Sequence, residues 1–227
     1  MDGNGRWASD QGMPRYCGHR AGAKALRRIM RVCADLGIPY LTVFAFSTEN
    51  WRRPQDEVDA LMTLIIEFAQ SEREELREKN IRVVPIGDLS SLPSDTQESI
   101  TRLAEDTQAG DRLTLMVAIN YGGRAELVQA TRDIAQAAAA GDIDPMGVDE
   151  EVLAAHLYTH PYPDPDLLIR SGGEWRLSNF LLFQLAYAEI YCTDTLWPDF
   201  GPEQLHQALA AYRHRKRRFG AAPSDER

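Results

Sequence analysis

The sequence predicts a single α/β domain with a largely parallel central sheet flanked by helices, and three observations predict it. Short apolar runs alternate along the chain with long amphipathic ones, the pattern of linked strand–helix units. The apolar runs, such as "YLTVFAFS" at 40–47, read as buried strands. The residues that chemistry needs cluster just after those strands, where ligands bind in such sheets: "FSTENWRRP", "NYGGR" and "RSGGEWRLSN". These three turns, together with the opening "MDGNGRWA", are expected along one sheet edge.

The elements follow in order. Segment 18–37 has Ala23, Leu26, Ile29, Met30, Cys33 and Leu36 at helical spacing, with Gly37 placed to end it. After the strand 40–47, residues 55–80 form a long amphipathic helix whose stripe is Val58, Leu61, Met62, Ile65 and Phe68. Residues 81–88 read as a strand. Residues 94–110 read as a helix, with Ser94 as N-cap and Gln97 completing a capping box. A strand over 112–123 runs into a Gly-Gly turn. An Ala-rich helix (124–141), a short helix (149–157), a short strand (166–173) and a basic helix (200–220) complete the order. The catalytic domain is placed at 1–220 and a polar tail at 221–227.

Composition narrows the function. The 227 residues suffice for one sizeable core, with 44% hydrophobic and 26% charged residues. No apolar run approaches the roughly 20 residues of a membrane span, and no basic stretch leads into an apolar one as in a secretory leader. Cys17, Cys33 and Cys192 are odd in number and scattered, which argues against a disulfide framework or a Cys-rich zinc site and fits a reducing cytoplasm. A net charge of −9 gives no global positive field for nucleic acid. An anionic ligand must therefore be held by local arginines.

Local arginines are present in the right company. Gly3, Asn4 and Gly5 allow backbone N–H groups to converge on an anion; Arg6, Arg15 and His19 add donors, and Asp2 beside them suits a magnesium ion shared with phosphate oxygens. Taken alone, the glycine turn reads more simply as an ordinary turn with a solvated Asp. It is not the phosphate loop of nucleotide hydrolases, since no Gly-Lys-Ser/Thr follows. At 169–180, Arg170 and Arg176 flank a Gly-Gly pair with Ser178 close behind, a set able to grip a diphosphate; the plain alternative is a surface turn with ion-paired arginines. The loop 45–54 combines Ser47, Glu49, Asn50, Trp51 and Arg53. It reads equally as a ligand loop and as a helix start with Thr48 or Asn50 capping, Trp51 stapling the core and Pro54 opening the helix.

Together, "MDGNGRWA", "GHRAGAKAL", "FSTENWRRP", "NYGGR", "IRSGGEWRLSNFLLFQLAYAEIY", "LWPDF" and "RRFG" closely resemble the cis-prenyltransferase family, in its bacterial undecaprenyl diphosphate synthase branch. The resemblance spans nearly the whole chain. It implies a homodimeric cytoplasmic enzyme, peripheral to the membrane through its greasy product, that elongates farnesyl diphosphate with isopentenyl diphosphate using Mg2+. It implies Asp2 as a magnesium-binding catalytic residue and Asn50 as an aid to proton removal. Gly3, Asn4, Gly5, Arg6, Arg15 and His19 resemble the allylic diphosphate cradle. Trp7, Ser47, Thr48, Glu49, Trp51 and Arg53 match substrate contacts, and Arg170, Arg176, Leu177 and Ser178 the isopentenyl diphosphate site. Glu189 matches a second magnesium ligand, and Arg218 and Gly220 an element reaching the neighbouring subunit. The stripe on 55–80 and the strand 40–45 are expected to wall an apolar tunnel, and the small Ala45 implies a long product. A short-chain synthase and a non-catalytic partner subunit are the competing readings; the presence of Asp2, Arg6, Arg15, Arg170 and Arg176 opposes the second.

Two departures carry expectations of their own. Trp175 stands where relatives often have His, which implies fewer side chains on the metal. Relatives also carry a short apolar strand immediately before the Met-Asp-Gly-Asn-Gly. The resemblance therefore implies upstream residues in the natural protein, an interior strand missing from the sheet, an Asp2 tied to a frayed end, and poor stability or activity for the chain as written.

Overall fold

A computed structural model describes residues 1–215. Its elements are α1 (Asn4–Asp10), α2 (Arg15–Asp35), β1 (Tyr40–Ser47), α3 (Gln55–Glu78), β2 (Ile81–Ile86), α4 (Ser94–Thr107), β3 (Leu113–Tyr121), α5 (Gly123–Ala140), α6 (Glu150–Ala155), β4 (Leu167–Arg170), β5 (Glu189–Cys192) and α7 (Pro202–Arg213). All strand pairs are parallel. One sheet has the order β1-β3-β2, and a second consists of β4 and β5. Helices flank these strands, as the alternating pattern predicts.

The central sheet is partial. β3 lies between β1 and β2 and is buried at eight of its nine positions. Among the described residues β1 pairs only with β3, and it has two buried positions, Val43 and Phe46. A cavity of about 830 Å³ lies between β1 and β4, lined by Tyr40–Ala45 on one side and Leu167–Arg170 on the other. No strand among the described residues occupies that space. Phe44 of β1 stacks instead on Phe180, in the segment between β4 and β5, ring centroids 4.7 Å apart.

Several elements differ from the expectation. α1 and β5 have no counterpart in the expected order: the first has seven residues and starts directly after its N-cap Gly3, whose φ is 98°, and the second has four. Both are too short for periodicity to register. α2 begins at Arg15, just after Pro14. The capping box at Ser94 is absent. Pro93 holds the N-cap position, Ser94 is already helical, and the Gln97 amide donates to the carbonyls of Leu92 (2.7 Å) and Ser90 (3.1 Å). A capping box instead joins Ser47 and Asn50, where neither Thr48 nor Asn50 is the cap. Arg218 and Gly220, and the end of the helix expected at 200–220, lie outside the described residues. Among the described residues, no helix is long and apolar enough to cross a membrane.

Candidate active site

Asp2 is pinned rather than frayed. Its N–H donates to Ser171 Oγ (3.0 Å), and its carbonyl accepts from Ser171 Oγ (3.1 Å) and from Trp197 N–H (2.9 Å). Its carboxylate accepts from Gly3 N–H (2.7 Å) and from Arg170 Nη2 (3.0 Å), 168 residues away. Burial pushes the Asp2 carboxyl up, but the Arg170 guanidinium and the Gly3 amide outweigh it, so the group is held below the usual carboxylate range. Arg170 has a side chain 14% exposed; its Nη1 also donates to Ser178 Oγ (3.0 Å) and to the Arg176 carbonyl. One guanidinium thus organises the opening turn and the turn after β4.

A second cluster forms around Glu57, in the first turn of α3. It pairs with Arg53 (2.7 Å), Arg15 (3.1 Å) and His19 (3.3 Å). Burial opposes ionisation of Glu57, but its hydrogen bond to His19 and the charges of Arg53 and Arg15 leave its pKa lowered. Burial, together with the charges of Arg53 and Arg15, lowers the pKa of His19 despite its bond to Glu57. Glu174 makes a third focus, 2.5 Å from Arg176 and 3.9 Å from Arg6, while Arg6 Nη2 donates to the Gly172 carbonyl at 2.7 Å. Each carboxylate sits where cationic donors converge, so a ligand anion arriving there finds its donors already gathered.

Eleven of the expected site residues line the cavity between β1 and β4: Asp2, Asn4, His19, Ser47, Glu49, Asn50, Arg53, Arg170, Arg176, Leu177 and Ser178. Others serve them from beside it. Gly3 and Gly5 shape the opening turn; at Gly5 a side chain would meet the Arg15 guanidinium. Trp7 turns away and donates to Asp199 (2.8 Å). Thr48 and Trp51 line a separate, smaller cavity with Asp88, Asn120 and Tyr158, and Trp51 donates to Asn120 Oδ1 (2.7 Å) while packing edge-on against Phe46. Glu189 is not brought to Asp2. It begins β5 opposite Leu167 and pairs with Arg215 (2.5 Å), whereas Arg170 pairs with Cys192, three residues and roughly 10 Å further along the strands. Ser171 and Glu57 also organise the site without a local sign in the sequence: Ser171 bonds Asp2, 169 residues away, and Glu57 gathers Arg15 and His19 as well as its neighbour Arg53.

The charged mouth opens on apolar walls. Val43, Phe44 and Ala45 of β1, Ile29 and Cys33 of α2, Leu61 of α3 and Met116 of β3 line the interior. Of the α3 stripe, only Leu61 reaches it; Val58 and Met62 pack instead in a core with Phe46 and Ile100. Ala45 falls at an irregularity in the pairing, since Phe44 faces Ala118 and Phe46 faces Ile119, leaving Ala45 unpaired. Such a bulge re-aims a side chain beside a site.

Among the described residues, no three His, Cys, Asp or Glu side chains gather as a metal cage. The donor set nonetheless fits magnesium. Asp2 offers one ionised carboxylate, 41% exposed at a cavity mouth rich in phosphate-type donors, and Mg2+ is commonly held by one or two carboxylates, substrate phosphates and water.

An arginine-rimmed mouth on an apolar cavity, carried by a parallel α/β sheet, suits a class of protein that takes a ligand with an anionic head and an apolar tail. The comparisons agree. The family model described as "Putative undecaprenyl diphosphate synthase" matches residues 1–220. An isoprenyl transferase of Heliobacterium mobile is 52% identical over 220 residues, 97% of this chain and 85% of that protein. One from Clostridium perfringens is 48% identical over 97% of this chain and 87% of its own. The structure of lavandulyl diphosphate synthase from Lavandula x intermedia, in complex with dimethylallyl diphosphate, matches with a TM-score of 0.94 and 40% identity, covering 97% and 95% of the two chains. The chain belongs to the undecaprenyl diphosphate synthase family: it is a transferase that condenses prenyl diphosphates.

Proposed function

We propose that the protein condenses isopentenyl diphosphate with farnesyl diphosphate, in the presence of Mg2+, to make a long cis-polyprenyl diphosphate lipid carrier. The observation that carries this reading is the Asp2–Arg170 pair at the mouth of an apolar cavity, which sets anion-binding groups beside room for a hydrocarbon chain. Mg2+ held by Asp2 would supply charge neutralisation for the departing diphosphate. Gly3 to Arg6, with Arg15 and His19, take up the negative charge that grows on the allylic diphosphate as its C–O bond lengthens. Arg170, Arg176, Leu177 and Ser178 hold isopentenyl diphosphate so that its double bond faces the allylic carbon; the fixed pose sets cis geometry. Asn50, whose Oδ1 accepts from Ser47 N–H (3.0 Å), stands at the mouth to aid the proton loss that completes each addition.

The enzyme is read as a cytoplasmic homodimer, with Arg218 and Gly220 reaching the partner's site and Glu189 serving as a second metal ligand through that assembly. Contact with the membrane is peripheral, through the product. A second reading, a short-chain synthase, draws on the close fold match to lavandulyl diphosphate synthase. One experiment separates them: incubate the protein with farnesyl and isopentenyl diphosphates and Mg2+, then size the products. A ladder of long products that vanishes on chelation is expected. Single additions only would favour the short-chain reading, and turnover undiminished by chelator would remove the metal from the mechanism.

A further inference from the structure

We propose that Asn179 is a positioning residue for the transfer: its side chain clamps the turn after β4 to the turn after β1 and to the first turn of α5, and so fixes Ser178 and Leu177 at the cavity mouth. The inference rests on the site reading above.

The backbone here needs holding. Ser178, Asn179 and Leu181 have φ of 51°, 64° and 44°, three left-handed residues within four positions and none of them glycine. Asparagine tolerates this region better than most residues, but serine and leucine do not enter it unaided. The clamp is complete on both ends of one amide. Asn179 Oδ1 accepts from Arg124 N–H (2.8 Å), and its Nδ2 donates to Glu49 Oε1 (2.8 Å). Its carbonyl accepts from Gly123 N–H (2.7 Å). Gly122 leaves space for this approach: a Cβ there would lie 2.8 Å from Asn179 Nδ2 and 2.7 Å from Thr48 Oγ1. The clamped residue adjoins Ser178, whose Oγ accepts from Arg170, and Asn179 and Glu49 both line the main cavity. Burial pushes the Glu49 carboxyl up, but the Asn179 amide and the hydrogen bonds of its own turn outweigh it, which keeps Glu49 an ionised anchor. Three separate post-strand turns thus share one joint.

A residue that merely stabilised the fold would lower the melting temperature without selectively weakening substrate binding. The test is steady-state kinetics with varied isopentenyl diphosphate, calorimetric titration of inorganic pyrophosphate, and thermal unfolding. The proteins are wild type, Asn179→Asp, Asn179→Gly, Glu49→Gln and the double variant Asn179→Asp/Glu49→Gln. Asn179→Asp keeps the acceptor for Arg124 but sets a carboxylate against Glu49. A loss in kcat/KM of roughly 10- to 100-fold is expected, mainly in KM, with weaker pyrophosphate binding. The double variant restores an amide–carboxylate pair with the roles exchanged and should recover most of the KM effect. Should Asn179→Asp fail to fold, Asn179→Gly keeps the left-handed backbone, lacks both side-chain bonds, and should show the same KM rise. Unchanged KM and pyrophosphate affinity in these variants, or a double variant no better than the sum of the singles, would overturn the proposal. Should wild type itself not turn over, the functional reading fails, and the pyrophosphate titrations still decide whether the clamp exists.

Discussion

Asp2 shows how much a single carboxylate is asked to do. It is ionised at neutral pH, hydrogen-bonded to Gly3, and shared with the arginine that grips the turn after β4. Asp2→Ala is expected to reduce turnover by at least about 10²–10³-fold, in line with loss of a preorganised charge in such sites, and to lower the melting temperature, because the largely buried Arg170 guanidinium loses its carboxylate partner. A product assay showing near-normal rates would remove the metal role. The sign of its pH effect is that of a lowered carboxyl: the stabilisation is present above the ordinary value of 3.8 and is lost as pH falls through the lower native value. His19 behaves oppositely. Burial lowers its pKa below 6.5, so on acidification the unfolded chain binds a proton that the native chain resists. Stability is therefore expected to fall as pH drops below about 6.5, and His19→Asn should flatten that part of a denaturation–pH curve. A diphosphate beside His19 favours the protonated ring, so pyrophosphate should bind with proton uptake as pH falls below 6.5, visible as a buffer-dependent calorimetric heat. The side chains involved were legible in the sequence because glycines, arginines and a lone Asp cluster locally. Their partners were not: nothing near Arg6 announces the Gly172 carbonyl, and nothing near Trp7 announces Asp199.

At the scale of elements, the site depends on two short pieces that periodicity could not reveal. α1 carries Asn4 and Arg6, and it lies against α2 through Gly18, where an added Cβ would sit 1.9 Å from the Asn4 carbonyl oxygen. That contact is with backbone, which cannot rotate out of the way. Gly18→Ala should therefore cost about 1–3 kcal/mol by overpacking, seen as a drop of several degrees in melting temperature, and should displace the opening turn enough to raise KM for the allylic substrate. A variant as stable as wild type would show that α1 is not held there. The long elements were readable. β1 matched its expected bounds, and α3 fell within two residues of them, because a largely apolar run and a three-to-four-residue stripe are strong signals, although only Val43 and Phe46 of β1 are buried. The helix ends were less so. At α4, Pro93 took the cap position that the Ser94–Gln97 pattern advertised, and the true capping box formed at Ser47–Asn50. A capping pattern names two residues that can bond; the chain direction on entering the helix decides whether they do.

On the scale of the whole molecule, the apolar cavity is the feature no single segment encodes. It arises because, among the described residues, β1 is paired on one side only and β4 stands across from it, so its walls come from α2, α3, β1, β3 and the segment after β4. The sequence did point to one of its positions, Ala45, as small. What it could not show is that Ala45 sits at a break in the β1–β3 register, unpaired, and lines the cavity with Leu61. That placement gives the side chain at 45 two neighbourhoods, the cavity on one hand and the core of Phe46, Val58 and Leu61 on the other, so a larger group there takes volume from the cavity. Ala45→Phe is thus expected to leave the rate of the first additions within a few-fold of wild type and to shift the product distribution toward shorter chains, read by sizing products after reaction with farnesyl and isopentenyl diphosphates. Melting temperature should fall by a few degrees at most if the ring turns into the cavity, and further if it is forced against the Phe46–Leu61 core. An unchanged product distribution at unchanged stability would mean that the growing chain leaves by another route, and that this cavity accommodates the substrates but not the polymer.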